Sequence, residues 1–162
     1  MGNVLRSPNG KALVLIPRSG SHSLAALALS TWWPDIKCHD NSHPAACLPI
    51  FEMWNGQNEN TAMIVRNPVE RFRSMIAHRN LDISLQLVNP IYGPIPTGNF
   101  IKLFRFENNG LEQCAEWLGL PTPLPQLDAT EENNKPILTL EQEALVRQIY
   151  AKDIELWESL NG

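Results

Sequence analysis

Two short, unbroken apolar runs stand out in the pattern of hydrophobic and polar positions along the chain. Residues 12–16 read ALVLI and residues 61–65 read TAMIV, and each run leads through polar residues into a helical pattern. Runs of this length without alternation are typical of strands that are buried on both faces of a sheet. The sequence therefore predicts an α/β fold with two strand–turn–helix units.

The first unit turns sharply after its strand. Pro17 and the polar residues 18–21 (RSGS) precede residues 23–29 (SLAALAL), which are rich in helix formers. The first N–H groups of such a helix lack partners within it, and its dipole is positive there, so an anion such as phosphate fits. A plain connection is the alternative, since Gly and Ser are common in these turns. The turn matches neither G-x-x-x-x-G-K-[ST] nor G-x-G-x-x-G.

The second unit begins its helix with several local signals. Asn67 is a capping residue, Pro68 takes the first helical position, and Glu70 stands at the capping-box position. Arg66 follows the strand at its carboxyl end, where ligands collect in open α/β sheets, and Ser74 lies two turns into the helix. A buried structural ion pair is the alternative for Arg66. The apolar positions at helical spacing predict a core-facing side: Val69, Phe72, Met75 and Ile76.

Composition and charge restrict the classes of function. The 162 residues are 43% hydrophobic and 19% charged, which fits a single domain over residues 1–162. The net charge of −4 predicts no nucleic-acid partner, so an anion site must be a local cluster of cations. Three scattered cysteines, Cys38, Cys47 and Cys114, do not suggest a disulfide framework. Because no long apolar segment is present, we expect a cytoplasmic protein without membrane contact.

The segments outside the two units carry weaker signals. Residues 1–10 read as a loose lead-in that ends in an Asn-Gly turn pair. Residues 36–39 are predicted as a short strand, residues 51–54 as one helical turn, and residues 80–99 as a loop with Pro and Gly.

A final helix is predicted to run to the C-terminus. Thr139 and Gln142 form a capping pair at its start. The predicted inner face of this helix includes Leu145, Ile149 and Leu156.

In their order and spacing, the two units resemble the sulfotransferases that use 3′-phosphoadenosine 5′-phosphosulfate. The matching patterns are P-[KR]-x-G-[ST]-x-S-L after the first strand and R-x-P-x-x-R-x-x-S after the second. Later similarities are residues 103–107 (LFRFE), residues 115–120 (AEWLGL) with Gly119 as a left-handed cap, and residues 150–156 (YAKDIEL), as in carbohydrate-type members. The resemblance covers most of the chain. It implies a three-layer α/β/α fold with a small, mostly parallel central sheet, related to that of the P-loop kinases.

The resemblance also implies which residues bind the nucleotide. The second motif would hold the 3′-phosphate through Arg66 and Ser74, and the first motif would hold the 5′-phosphosulfate. The residues of the first motif are Arg18, Ser19, Gly20, Ser21, His22 and Ser23. His22 departs from the pattern, since Thr or Ser is usual there. The short segment 80–99 leaves the acceptor open as a hydroxyl or amine, with a carbohydrate as one candidate.

The chemistry implied is sulfuryl transfer without a metal. Arg18 and the helix N-terminus would neutralise charge on the leaving phosphate oxygen of a loose, in-line transition state. Arg66 stands where a Mg²⁺-dependent nucleotide kinase would place Asp. His39 is the predicted general base, with His43 and Glu52 as alternatives, and a hydrogen-bonded loop histidine is the other interpretation of His39. The spacing of Cys38, His39, His43 and Cys47 matches no standard zinc site.

Two other functions stay open at this point. A domain that binds the nucleotide but has lost catalysis is suggested by the short acceptor region and by His22. A small nucleotide kinase of related fold would prefer ATP with Mg²⁺ to adenosine 3′,5′-bisphosphate. Lys135, in the loop of residues 121–136, either approaches a phosphate or is a solvated surface lysine.

Overall fold

The fold combines one sheet with helices of six to twelve residues in the part of the chain that the computed structural model describes, residues 3–35, 52–53, 60–124 and 132–160. The strands are β1 (Asn3–Arg6), β2 (Ala12–Leu15), β3 (Glu52–Met53), β4 (Thr61–Val65) and β5 (Lys102–Arg105). The helices are α1 (Ser21–Trp32), α2 (Pro68–Arg79), α3 (Ile83–Val88), α4 (Gly110–Leu118), α5 (Leu140–Ile149) and α6 (Ala151–Ser159). Short 3₁₀ turns cover Phe106–Asn108 and Glu132–Asn134.

The strand order in the sheet is β3-β1-β2-β4-β5. The pairs β2–β4 and β4–β5 are parallel, whereas β1 pairs antiparallel with both β2 and β3. The predicted α/β class is confirmed, but the described sheet is mixed rather than mostly parallel, because two of its four strand pairs are antiparallel. Because β2, β4 and β5 run in one direction, their carboxyl ends lie at the same edge of the sheet, where the residues that follow them can meet.

The amino-terminal residues form a hairpin, so the prediction of a loose lead-in for residues 1–10 is wrong. Val4 and Leu5 are buried on opposite faces of the sheet. The turn between β1 and β2 is closed by the N–H of Gly10, which donates to the carbonyl of Ser7 at 3.0 Å. The helical turn predicted at residues 51–54 is also wrong where the chain is described, because residues 52–53 pair with β1 as β3.

Helices cover both faces of the sheet. One face packs against α1 and α4, and its buried residues are Leu5, Leu13, Leu15, Leu24, Ala25, Ala28, Leu29, Ala62, Ile64, Phe104, Cys114, Ala115, Leu118 and Leu120. The other face packs against α6 through Leu156 and Trp157, and its buried residues are Val4, Ala12, Val14, Ile16, Met63, Val65 and Ile95. The alternation of Leu13 and Val14 between the two clusters is the two-residue period of a strand buried on both sides.

The start of α2 agrees with the sequence in its cap but not in its capping box. The side chain of Asn67 accepts the N–H of Val69 at 3.0 Å, as predicted. The backbone N–H of Asn67, however, donates to Glu107 Oε1 at 2.7 Å, while Glu70 pairs with Arg73 at 2.9 Å. The predicted reciprocal bond from Glu70 is therefore wrong, because a carboxylate from the end of β5 takes its place. The predicted core face of α2 is confirmed.

We predict that Asn67→Ala lowers stability by about 1 kcal/mol, because the cap satisfies an N–H that the helix cannot. For a chain of this size the melting temperature should fall by about 2–4 °C in a thermal unfolding experiment. Asp82→Ala is the matched control, since Asp82 caps the exposed start of α3 through a longer bond of 3.3 Å to the N–H of Leu85. A larger loss at Asp82 than at Asn67 would contradict the prediction.

The carboxy-terminal region consists of two helices rather than the single helix predicted. The capping pair is confirmed, since Thr139 and Gln142 exchange bonds of 2.9 and 3.1 Å. The helical pattern breaks at Tyr150, a buried residue whose hydroxyl donates to the carbonyl of Tyr92 at 2.7 Å. The break lets α5 pack on α2 while α6 packs on the sheet. Leu145 was predicted to be internal but is 40% exposed, and Val146 is buried in its place.

The loop predicted for residues 80–99 contains α3, which packs against α5. None of the helices in the described ranges has both the length and the apolar character needed to cross a bilayer.

Candidate functional site

The turn between β2 and α1 has an unusual backbone. Arg18 and Gly20 both adopt left-handed conformations, with φ of 62° and 80°. Between them, the N–H of Ser19 donates to the carbonyl of Ile16 at 3.2 Å, which folds the chain back on the end of the strand. Helix α1 begins at Ser21, two residues earlier than its apolar pattern suggests. In this turn, which is fully described, no side chain caps the helix and its first turn has no acidic residue. An anion would therefore meet no opposing carboxylate in that first turn.

Gly20 is required by packing as well as by its backbone conformation. A Cβ at this position would lie 2.3 Å from Leu111 Cδ2 of α4. A positive φ also costs a residue with a side chain about 1–2 kcal/mol. Gly20 therefore allows the close approach of α4 beneath the turn.

The two motifs meet in space. Arg18 Nε donates to Ser74 Oγ at 2.9 Å, and Arg66 Nη1 donates to the carbonyl oxygen of Arg18 at 2.8 Å. The first contact joins the β2–α1 turn to α2, and the second joins it to the end of β4. Arg18 therefore forms one cluster with Arg66, 48 residues further along the chain, and with Ser74, 56 residues further along.

Three buried polar atoms have no hydrogen-bond partner within the described residues: Ser19 Oγ, Arg66 Nε and Arg105 Nε. Each belongs to the carboxyl edge of the parallel strands, since Ser19 follows β2, Arg66 follows β4 and Arg105 ends β5. Buried polar atoms normally have partners, because leaving one unsatisfied costs about 1–3 kcal/mol. These atoms suit the binding of a ligand rich in acceptor oxygens.

Aromatic rings and one carboxylate hold the arginines in place. The guanidinium of Arg66 lies 4.7 Å from the centre of the Phe106 ring, and that of Arg105 lies 3.9 Å from the Trp157 ring. Glu107 accepts the indole N–H of Trp157 at 3.0 Å with one oxygen and the N–H of Asn67 with the other. Neither arginine forms an ion pair with another described residue, which leaves much of their charge for a ligand.

The charge of Arg66 is partly uncompensated. Burial lowers the pKa of Arg66, Glu107 raises it, and the nearby Arg18 lowers it. Burial and the neighbouring cation both disfavour the charged form, and an anion bound between the two arginines would oppose both effects.

The other residues of the first motif line the start of α1. Ser21 and His22 are half-buried, and Ser23 is buried. His22 therefore lies in the first turn of the helix.

Comparison of the chain with models of protein families, with curated proteins and with solved structures found no match. The function is therefore inferred from the geometry of this cluster and from the resemblance of its two motifs.

The predicted general base lies outside the described residues. His39 and its alternative His43 belong to the segment 36–51, as do Cys38 and Cys47. The backbone of Glu52 is in β3, at the edge of the sheet opposite β5. Across the described ranges, no group of three His, Cys, Asp or Glu side chains is arranged to hold a metal ion.

Lys135 is not a solvated surface lysine. Its side chain is only 10% exposed, and its ammonium group pairs with Glu132 at 3.3 Å. Glu132 also pairs with Arg73 at 2.9 Å, which fastens the loop before α5 to α2.

Sequence reasoning missed two arginines of this region. Arg71 stands within the second motif, three residues before Ser74, so the helical period places both on one face of α2. Arg105 begins the RFE sequence that ends β5. Arg105 could have been found from the signal that identified Arg66, a cation at the carboxyl end of a predicted strand. Arg71 could have been found from a related signal, a cation in the first turns of the helix that follows such a strand.

Proposed function

We propose that this protein binds 3′-phosphoadenosine 5′-phosphosulfate and transfers its sulfuryl group to a hydroxyl or amine of an acceptor. The observation that carries the proposal is the convergence of Arg18, Arg66 and Ser74 in one cluster. The resemblance assigns the first motif to the 5′-phosphosulfate and the second to the 3′-phosphate. One molecule can contact both motifs only if they adjoin.

The distribution of charge supports the binding of a polyanion. The whole chain has a net charge of −4, yet Arg18, Arg66 and Arg105 gather at one edge of the sheet. Concentrating cations there costs repulsion and desolvation, which a ligand with several negative charges would relieve. Forked guanidinium groups suit phosphate oxygens in particular.

The reaction follows from the same arrangement. The acceptor oxygen or nitrogen forms a bond to sulfur, while the bond from sulfur to the bridging oxygen of the 5′-phosphate breaks. That oxygen keeps the electron pair, and adenosine 3′,5′-bisphosphate leaves. The acceptor proton passes to a general base, for which His39 remains our choice, with His43 and Glu52 as alternatives. Arg18 and the N-terminus of α1 stabilise the charge on the leaving oxygen, so the step requires no metal ion.

Thermal unfolding with nucleotides tests the binding step. Adenosine 3′,5′-bisphosphate at about 100 times its dissociation constant should stabilise the protein by about 2.7 kcal/mol, and the melting temperature should rise by about 5–10 °C. The rise should be unchanged by EDTA. A rise with ATP and Mg²⁺ but not with the bisphosphate would instead indicate a nucleotide kinase.

Incubation with sulfur-labelled donor and a panel of sugars, lipids and phenols tests transfer. Labelled product is expected with at least one acceptor class. Retention of the nucleotide without any transfer would identify a binding domain that has lost catalysis.

A further inference from the structure

A cavity of about 490 Å³ adjoins the cluster on the side of α2 and lies outside the predicted nucleotide contacts. Its walls come from the end of β2 with Pro17, from Arg71 of α2, and from residues 91–96. The volume falls within the range of about 300–1,000 Å³ that is usual for small-molecule sites. Pro17 directly precedes Arg18, so a molecule in the cavity would lie next to the turn that we assign to the phosphosulfate.

The walls of the cavity are largely apolar and stiff. Leu15, Ile16 and Ile95 contribute aliphatic surface, and prolines 17, 94 and 96 restrict the backbone around it. Tyr92 adds an aromatic ring whose backbone carbonyl is held by the hydroxyl of Tyr150. These aliphatic and aromatic side chains would cover a flat apolar body well.

Arg71 brings a charge into this apolar cavity. The residue is only 6% exposed, and its Nε donates to the carbonyl oxygen of Pro17 at 2.9 Å. Its guanidinium lies 5.8 Å from the centre of the Tyr92 ring. No carboxylate of the described residues forms an ion pair with it. A cation buried without an ion-pair partner is costly unless something compensates its charge.

Within the described residues, the buried carboxylate that influences Arg71 forms no ion pair with it. Asp153 is buried and influences Arg71 through space, but its Oδ2 accepts the N–H of Ile95 at 3.1 Å. Burial raises the pKa of Asp153, and the Ile95 N–H and Arg71 lower it only in part. The cation therefore retains capacity for a second anion, and the cavity is the space from which that anion can reach it.

We infer that this cavity binds a small aromatic carboxylate, whose ring lies against Tyr92 and the aliphatic wall and whose carboxylate pairs with Arg71. Resting on the proposed function, the inference also names the acceptor class: an aromatic acid with a free hydroxyl that reaches the sulfur. Arg71 then determines specificity, because neutral phenols of the same shape leave its guanidinium without a partner.

Binding of 4-hydroxyphenylacetate and of its neutral amide, 4-hydroxyphenylacetamide, to the wild-type protein tests this inference. The acid should bind about 10–100-fold more tightly than the amide in calorimetric titrations, as expected for a hydrogen bond to a charged group. Amide resonances of Gly93 and Ile95 should shift on addition of the acid. Equal affinities, or shifts that spare residues 91–96, would overturn the inference without any variant being made.

The variant Arg71→Gln should lose the preference for the acid, and Arg71→Lys should keep part of it. Arg79→Gln is the matched control, because Arg79 also contacts Tyr92, through its hydroxyl at 3.3 Å, but is exposed and does not line the cavity. The control should bind the acid like the wild type. An unchanged preference for the acid in a folded Arg71→Gln would overturn the assignment.

Failure of the inference and failure of the proposed function give different results. Binding of the acid without any response to adenosine 3′,5′-bisphosphate would support the cavity as a site for an aromatic acid. It would contradict the role of that acid as an acceptor. A response to the bisphosphate without binding of the acid would support the nucleotide site. It would contradict the proposal that the acceptor is an aromatic acid.

Discussion

Replacing Arg66 with alanine is expected to weaken binding of adenosine 3′,5′-bisphosphate by about 100-fold. The change removes the cation that we assign to the 3′-phosphate. It also removes the hydrogen bond of 2.8 Å that holds the carbonyl of Arg18. Each loss concerns a charge-assisted bond worth about 1.5 kcal/mol or more, so the two together reach the expected factor.

Comparison with adenosine 5′-phosphate separates the two contributions. This ligand lacks the 3′-phosphate, so its affinity should fall only about tenfold, through the loosened turn at Arg18. Arg147→Ala, which removes an arginine from the outer part of α5, is the control and should leave both affinities unchanged. Equal losses for the two ligands in calorimetric titrations would contradict the assignment of Arg66 to the 3′-phosphate.

Phe72→Ala is expected to destabilise the protein by about 3–5 kcal/mol, the usual cost of removing a buried phenyl ring. Phe72 is 2% exposed and packs between α2 and α5 with Val146 and Tyr150. The melting temperature should fall by about 6–20 °C in a thermal unfolding experiment.

The effect of Phe72→Ala should extend to the candidate site, because α2 presents Arg71 and Ser74 from the helix that Phe72 anchors. Ile137→Ala is the control, since Ile137 is 90% exposed and should leave the melting temperature unchanged. A stable Phe72→Ala protein that binds the bisphosphate normally would show that the packing of α2 on α5 does not support the site.

Local signals predicted the elements that carry the site. The strand Thr61–Val65 and the start of α2 agree with the sequence because each depends on neighbours in the chain: an apolar run, a capping Asn67 and a proline in the first turn. Gly119 also takes the predicted left-handed conformation, with φ of 81°. Where a structure depends on contacts within a few residues, the chain itself contains the information.

Errors arose where a distant residue took over a local role. Glu70 stands at the capping-box position, but Glu107 binds the N–H of Asn67 instead, and no local rule could reveal a partner 40 residues away. The α5–α6 region breaks at Tyr150, and only α6 of the two helices packs on the sheet through β4, while both contact α2.

The β1–β2 hairpin was missed for a different reason, since a local pattern that predicts it is present in the sequence. Val4 and Leu5 precede an Asn-Gly pair and a second apolar run, a pattern typical of two strands joined by a tight turn.

The meeting of Arg18 and Arg66 followed from the topology rather than from either motif alone. Each motif predicted a cation after a strand, and the pairing of β2 with β4 as parallel neighbours places the two cations side by side. The sequence could not give that pairing, since strand order depends on the whole sheet. Arg71 was not predicted as a site residue for the same reason. Its proposed role depends on the cavity, whose other walls come from the end of β2 and from residues 91–96.

The hydrogen bonds that join the β2–α1 turn to β4 and α2 are formed between groups of the chain itself. Folding alone has therefore already restricted these side chains, so a ligand that arrives finds a preformed surface. Association should then depend mainly on diffusion and on attraction by the arginines, with little backbone movement. Such a site discriminates by shape from the first encounter, and differences in affinity among related nucleotides should appear chiefly in how long each remains bound.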